Sequence, residues 1–317
     1  VYPVRSRTTM KIAVMGAGGI GGCFGGLLAK SGLDVTLIAR GAHLEAIQKN
    51  GLQVIQPEGG YTVEVKATDD PSQVGPVDLV LLSVKTYQNE QTIPMIKPLV
   101  EREGTVITLQ NGVESAKEVA QVYGPERVLP GAAYLLCNID SPGVVRQRAP
   151  VARMAFGEPN GNRSRRAVAF QDIFSKAGIE ADLSEDIMRA LWSKLLYNTP
   201  ANGLACASRL TPKAFFEYAQ GKALFESTFR EVASVATASG VPLGDIDVKG
   251  AMRLVAQRPL DGKGSMQADL EAGRPLELEA IVGSISRIGR EVNAATPLID
   301  VLYALLLPHK NGHPGGA

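Results

Sequence analysis

Apolar and polar positions along the chain follow two regimes that change near residue 184. In the first regime, short apolar runs alternate with stretches of helical period. Lys11–Met15 reads as a strand, followed by a small-residue helix over 19–31 that Gly32 ends. Asp34–Ala39 (DVTLIA) reads as a second strand, and a helix over 42–50 stops at Gly51. Leu52–Ile55 and Tyr61–Val65 flank PEGG and predict a hairpin. The runs at 78–83 (DLVLLS) and 105–109 (TVITL) are almost continuously apolar, as parallel strands buried on both faces require. The stretch 129–157 reads as β-rich and closes the region.

From Ser184 onward the pattern becomes helical and strands disappear. In SEDIMRALWSKLLYN, Ser184 is the expected N-cap, with acidic residues in the first turn. Further helices are expected over 222–239, 245–256, 266–272 and 276–292, separated by Gly- and Pro-containing breaks. The pattern predicts an α/β fold: an N-terminal doubly wound domain over 10–183, then an all-α domain over 184–308. Residues 1–9 read as a disordered extension before a start methionine at Met10, and 309–317 as a flexible tail.

The first strand runs directly into Gly16-Ala17-Gly18-Gly19-Ile20-Gly21. A strand, this glycine spacing and a helix together form a dinucleotide-binding fingerprint of the Rossmann type. Gly16 permits the tight turn, Gly18 admits a pyrophosphate to the backbone, and Gly21 lets helix and strand approach. The helix N-terminus offers N–H groups and partial positive charge to the phosphates. At the end of the second strand, where an NAD site places an acid for the ribose hydroxyl, stands Arg40. An arginine clamps a 2′-phosphate and so points to NADP(H), against the alternative of a solvated surface residue.

Ligands of open α/β sheets bind beyond the carboxyl ends of strands. Lys85 follows the third strand of the apolar series and Asn111 the fourth, which makes them candidates for cofactor or substrate contact. Taken alone, Asn111-Gly112 also reads as a turn pair. In the helical half, Lys194, Asn198 and Asn202 recur at i, i+4, i+8 among leucines and share a face of one helix. A lysine in such surroundings has its charge disfavoured and suits proton donation, although a snorkelling surface lysine gives the same pattern. Pro200 lies within this face, so the helix is expected to kink or break there. In GSMQADLEAGRPLELEAIVG, Ser265 opens one helix and Glu277 falls in the first turn of the next. There it either complements the helix dipole or enters the site.

Bulk properties narrow the function class. The 317 residues are 45% apolar and 21% charged with net charge +1, which gives no electrostatic footprint for nucleic acid. No apolar run reaches the roughly 20 residues of a membrane span, and the N-terminus lacks the apolar core of a secretory signal. Cys23, Cys137 and Cys206 are scattered, which suggests a reducing, cytoplasmic setting with neither disulfides nor zinc. Three histidines, two of them near the C-terminus, give no metal site.

Together GAGGIG, SVKTYQ, QNG, WSKLLYN with a further Asn202, and SMQADLEAGRPLELEAIVG resemble the ketopantoate reductase (2-dehydropantoate 2-reductase) family from about Met10 to Leu307. The resemblance implies a Rossmann domain followed by a helical domain, with the active site in the cleft between them. It implies NADPH-dependent reduction of 2-dehydropantoate to pantoate, on the route to pantothenate and coenzyme A. Lys194 matches the family's proton donor, and Glu277 the carboxylate that orients substrate or lysine. Asn198, Asn202 and Ser265 match substrate-binding positions, and Asn111 one near both nicotinamide and substrate. Arg40 and Lys85 match contacts to the cofactor phosphates. The expected partner is a small 2-oxo acid, without nucleic acid or membrane; a homodimer is compatible with the sequence. Family paralogues share this set of residues, so a reductase of another 2-oxo acid is the near alternative. A non-catalytic NADPH-binding sensor is the distant one.

Overall fold

The computed structural model describes residues 10–101, 103–148 and 150–313; the extension expected over 1–9 and the end of the tail lie outside them. The chain divides into two units. The first comprises the chain up to Gln110 and Glu114–Ile187; the second comprises Asn111–Val113 and everything from Met188.

The apolar runs of the first unit become strands of an eight-stranded sheet. They are β1 (Lys11–Met15) and β2 (Asp34–Ile38), then, after the hairpin strands β3 (Leu52–Gln56) and β4 (Gly59–Val63), β5 (Lys66–Thr68). The series continues with β6 (Leu79–Leu82), β7 (Thr105–Thr108) and β8 (Val128–Tyr134). Two strands, β9 (Cys137–Ser141) and β10 (Val144–Gln147), leave for a smaller sheet before β11 (Arg153–Phe156) and β12 (Glu180–Leu183) return. The large sheet has the order β12-β11-β8-β7-β6-β1-β2-β5 and is parallel except where β11 meets β8. Its segment β5-β2-β1-β6-β7-β8 has the doubly wound order in which strand succession reverses beside the first strand. Met15 pairs with both Ile38 and Leu82, so these three strands end flush at the point of reversal.

The helix Gly19–Lys30 lies between this sheet and a four-stranded sheet of order β4-β3-β10-β9. Its glycines make the approach possible: a Cβ on Gly25 would meet Leu37 at 2.6 Å, and one on Gly22 would meet Val145 at 2.7 Å. The hairpin expected around PEGG is β3–β4, with Gly59 and Gly60 already in the second strand. A helix over Arg165–Lys176, capped by the Ser164 hydroxyl accepting from the Ala167 N–H, leads into β12.

Among the described residues no strand follows Leu183. The second unit is built from the helices Ile187–Ser208, Pro212–Phe216, Ala219–Ala238, Asp245–Gln257, Ser265–Glu271, Ser284–Glu291 and Pro297–Leu306. They surround a core that includes Trp192, Leu195, Leu204, Phe225, Phe229, Ile281 and Leu302. No described helix is long and apolar enough to cross a membrane.

Three expectations need correction. Ser184 does not cap the long helix, which begins at Ile187: its N–H extends the sheet ladder to the Phe156 carbonyl, and its hydroxyl accepts from the Asp186 N–H. The helix runs unbroken through Pro200 to Ser208. Burial on both sides of the proline holds the turn, with Thr199 and Ala201 packed inside and the Thr199 hydroxyl donating to the Ile281 carbonyl at 2.5 Å. Residues 309–313 do not form a loose tail. The Lys310 carbonyl accepts from the Leu276 N–H, its amine pairs with Glu279 at 2.8 Å, and the Gly312 N–H donates to the His309 carbonyl.

Candidate functional site

Two constellations emerge, one in each unit. In the first, β1 delivers the chain to Gly16, whose φ of +99° closes a tight turn. The Gly16 and Ala17 N–H groups both donate to the Ile38 carbonyl at the end of β2. A Cβ on Gly21 would lie 2.1 Å from the Gly16 carbonyl oxygen and 2.4 Å from Ser83 Oγ, so helix and turn touch there without room for a side chain. Gly18 differs: a Cβ there would meet nothing within 4 Å, and it stands at the N-terminus of the Gly19–Lys30 helix. That terminus has neither a side-chain cap nor an acid in its first turn. Open space before uncapped helical N–H groups is a cradle for a diphosphate, and these residues fit a dinucleotide. Ala17, Gly19 and Ile20 complete the loop; a Cβ on Gly19 would press on the Cys137 carbonyl at 2.5 Å.

Arg40 is exposed at the end of β2, directly before the Gly41–Asn50 helix, whose N-terminus also lacks a side-chain cap and an acid. Lys85 follows β6 beyond Ser83, at the start of a short helical turn, Thr86–Gln88. Ser83 is a site residue that the strand pattern did not reveal: its hydroxyl donates to the Gly16 carbonyl at 2.9 Å and secures the turn from the neighbouring strand. Only the flush ending of β1 and β6 brings it there, and a single sequence carries no direct sign of that register.

The second constellation gathers residues from three distant segments. Lys194 is half-buried on the Ile187–Ser208 helix, between buried Trp192 and Leu195. Burial lowers its amine from 10.5 to about 8, and the Glu277 carboxylate resists that shift. Glu277 is only 4% exposed and accepts from Asn111 Nδ2 at 3.0 Å. Gly112, at φ +90°, lets the Asn111 turn lie against Ala280, whose carbonyl oxygen would be 2.9 Å from a Cβ there.

The chain that delivers Glu277 is fixed at each step. Gly273, at φ +64°, ends the Ser265–Glu271 helix, and Arg274 bonds back to the buried Asp269 carboxylate at 2.9 Å. Past Glu277 the backbone widens into a π turn over Glu279–Gly283 instead of the regular helix expected from 276. The Thr199 hydroxyl serves the Ile281 carbonyl in that turn, and Ser284 Oγ donates to the Ala280 carbonyl. Glu277 thus stands just before the widened helix rather than within its first turn.

The two asparagines beyond Lys194 have different surroundings. Asn198 is half-buried on the lysine's helix face. Asn202 is 4% exposed and structurally engaged at both ends of its amide. Its Nδ2 donates to the Asn198 carbonyl at 2.9 Å, and its Oδ1 accepts from the Met266 N–H at 3.1 Å, capping the Ser265–Glu271 helix. Ser265 is exposed in the first turn of that helix. A protonatable amine, a buried carboxylate and amide groups are thus assembled in one unit, the set required to protonate and orient a polar substrate.

The family model for ketopantoate reductase PanE/ApbA matches residues 12–161, and that for the C-terminal part of the same family matches 186–310. The chain is 33% identical to a 2-dehydropantoate 2-reductase of Mesorhizobium japonicum, over 94% of this chain and 97% of the relative. It superposes with a TM-score of 0.89 on the crystal structure of 2-dehydropantoate 2-reductase from Geobacter metallireducens, at 33% identity, covering 94% of this chain and 99% of the other. It is also similar to D-mandelate dehydrogenase in a ternary structure with NADH and anilino(oxo)acetate, with a TM-score of 0.86, 25% identity and coverage of 95% and 98%.

The double engagement of Asn202 has a measurable consequence. Asn202→Ala removes a helix cap and a buried hydrogen bond and is expected to lower unfolding stability by about 1–2 kcal/mol. Denaturant unfolding checks this; unchanged stability would show that the cap has no structural weight.

Proposed function

We propose that this chain, which belongs to the ketopantoate reductase family PanE/ApbA, reduces 2-dehydropantoate to pantoate with NADPH, in the route to pantothenate and coenzyme A. The observation that carries the reading is the gathering of Lys194, the buried Glu277 and Asn111 in one unit, with Asn111 Nδ2 donating to the Glu277 carboxylate. A proton donor serves best when its pKa lies near the working pH, and burial brings this lysine there.

In this reading the Gly16–Gly21 loop holds the diphosphate, while Arg40 and Lys85 meet the remaining phosphate charge. When bound, the reduced nicotinamide supplies the hydride. Lys194 Nζ gives its proton to the ketone oxygen, so no alkoxide is left without compensation. Glu277 opposes the loss of the lysine's charge and is itself held by Asn111 Nδ2. Asn111 retains its carbonyl oxygen and second amide hydrogen for substrate or carboxamide. Asn198 and Ser265 supply further hydrogen bonds to the hydroxy acid. Asn202 acts on the same substrate through its remaining N–H, and by fixing the helix that starts at Ser265.

A second reading is kept open by the likeness to D-mandelate dehydrogenase: the same lysine and carboxylate would serve another branched or aromatic 2-oxo acid. Steady-state oxidation of NADPH with a panel of 2-oxo acids separates the two. The expected result is the highest kcat/KM for 2-dehydropantoate; turnover of a different oxo acid alone would replace the first reading with the second.

The acid role fixes a pH dependence. Because burial favours the neutral amine, Lys194 is protonated below about 8 and loses its proton above. The reductive kcat/KM is expected to be flat at neutral pH and to fall about tenfold per unit above that point. Lys194→Ala should lower kcat by ~10²–10⁴ and leave NADPH affinity nearly intact. A rate that persists unchanged to pH 10, or an active alanine variant, would remove Lys194 from the mechanism.

Arg40 sets the cofactor choice in this reading, since its guanidinium faces solvent where an NAD site has an acid. Arg40→Ala is expected to raise KM for NADPH about tenfold and to change that for NADH little. Equal losses for both cofactors would count against a 2′-phosphate contact.

A further inference from the structure

We propose that His43 is a positioning residue for dinucleotide binding: its imidazole locks the Ala17–Gly18 peptide so that the Gly18 N–H is aimed at the cofactor's diphosphate. His43 lies in the first turn of the Gly41–Asn50 helix, and both of its ring nitrogens are engaged. Nδ1 lies 3.0 Å from the Gly143 N–H, in the turn between β9 and β10, and Nε2 lies 2.9 Å from the Ala17 carbonyl oxygen. An N–H can only be met by a lone pair, so Nδ1 is the acceptor. The ring proton of the neutral imidazole therefore sits on Nε2 and is donated to Ala17. Burial favours this neutral form by lowering the pKa of His43 below its ordinary value.

The consequence follows from peptide geometry. Across a planar trans peptide the carbonyl of one residue and the N–H of the next point in opposite directions. Holding the Ala17 oxygen on His43 therefore turns the Gly18 N–H away from the histidine. Ala17 is also pinned on its other side, where its own N–H donates to the Ile38 carbonyl at 3.0 Å. Gly18 is the loop position whose Cβ direction is open for 4 Å, at the head of an uncapped helix. The restraint is needed because glycines flank Ala17 on both sides, and glycine leaves a peptide free to rotate. A locked N–H meets an anion without first giving up that freedom. His43 acts through Ala17 and touches no reacting atom.

This inference rests on the reading that the fingerprint loop holds the cofactor diphosphate. His43→Phe keeps a ring of similar size and removes both hydrogen bonds. Fluorescence titration with NADPH, and separately with NADH, is expected to show Kd raised about tenfold for both. The loss should appear in cofactor KM rather than in kcat. His43→Gln, whose amide can accept from Gly143 while donating to Ala17, should return Kd to within about threefold of the unmodified protein. Wild-type affinity in His43→Phe, or no recovery in His43→Gln, would overturn the role of His43 alone. An unmodified chain that binds neither cofactor would overturn both this role and the dinucleotide reading beneath it. If His43→Phe does not fold, two-bond ¹H–¹⁵N correlation of the unmodified protein decides. A proton on Nε2 and a bare Nδ1 support the proposal; a proton on Nδ1 ends it.

Discussion

The second unit is arranged around the charge of Glu277. A carboxylate only 4% exposed has lost most of its water, and a buried charge is tolerated only when other groups replace that solvation. The chain replaces it with an amide from Asn111 and with the field of Lys194. Those two residues are 83 positions apart and Glu277 is a further 83 along, so the need to satisfy one carboxylate ties together three remote segments. Much else in the unit serves that closure: the Asp269–Arg274 bond that sets the approach to Glu277, the glycine that lets the Asn111 turn lie against Ala280, and the threonine that supports the π turn. The same carboxylate opposes the lowering of the Lys194 pKa by burial, so the two buried groups support one another's charge.

The first unit follows a different rule. Its glycine loop offers backbone rather than side-chain groups, and the sequence there consists of what must be omitted. Gly16, Gly18 and Gly21 meet three separate constraints: a positive φ, an open face and a close approach. The surrounding side chains then hold the bare loop in shape, Ser83 from β6 and His43 from the helix after β2.

Much of this architecture was legible because the local signals agree with one another. Apolar runs such as LVLL and TVIT have few alternatives to buried parallel strands, and β6 and β7 lie where that pattern put them. The glycine fingerprint reads clearly at Gly16 and Gly21, where a positive φ and a close approach demand glycine. Failures occurred where tertiary contacts overrode a local rule. Pro200 carries the expectation of a kink or break, yet the helix runs on through it between buried neighbours. Ser184 has the chemistry of a cap, yet its N–H belongs to the sheet ladder. The pattern brought Asn202 forward by its spacing from Lys194; only the folded chain reveals its place at the head of another helix. His43 gave no signal and Ser83 none beyond its place in SVKTYQ, since a lone histidine on a helix and a serine after a strand occur in many settings.

The π turn at Glu279–Gly283 carries one more consequence. Each α-helical residue advances the direction of its side chain by about 100°, so a turn that takes in an extra residue shifts the phase of all that follows by that amount. A segment of continuous helix would present a single stripe from end to end. Here Glu277 precedes the wide turn between the buried Leu276 and Leu278, while the helix after it buries Ser284, Ile285 and Ser286. The wide turn thereby frees the core-facing side of Ser284–Glu291 from the phase of the residues that place Glu277.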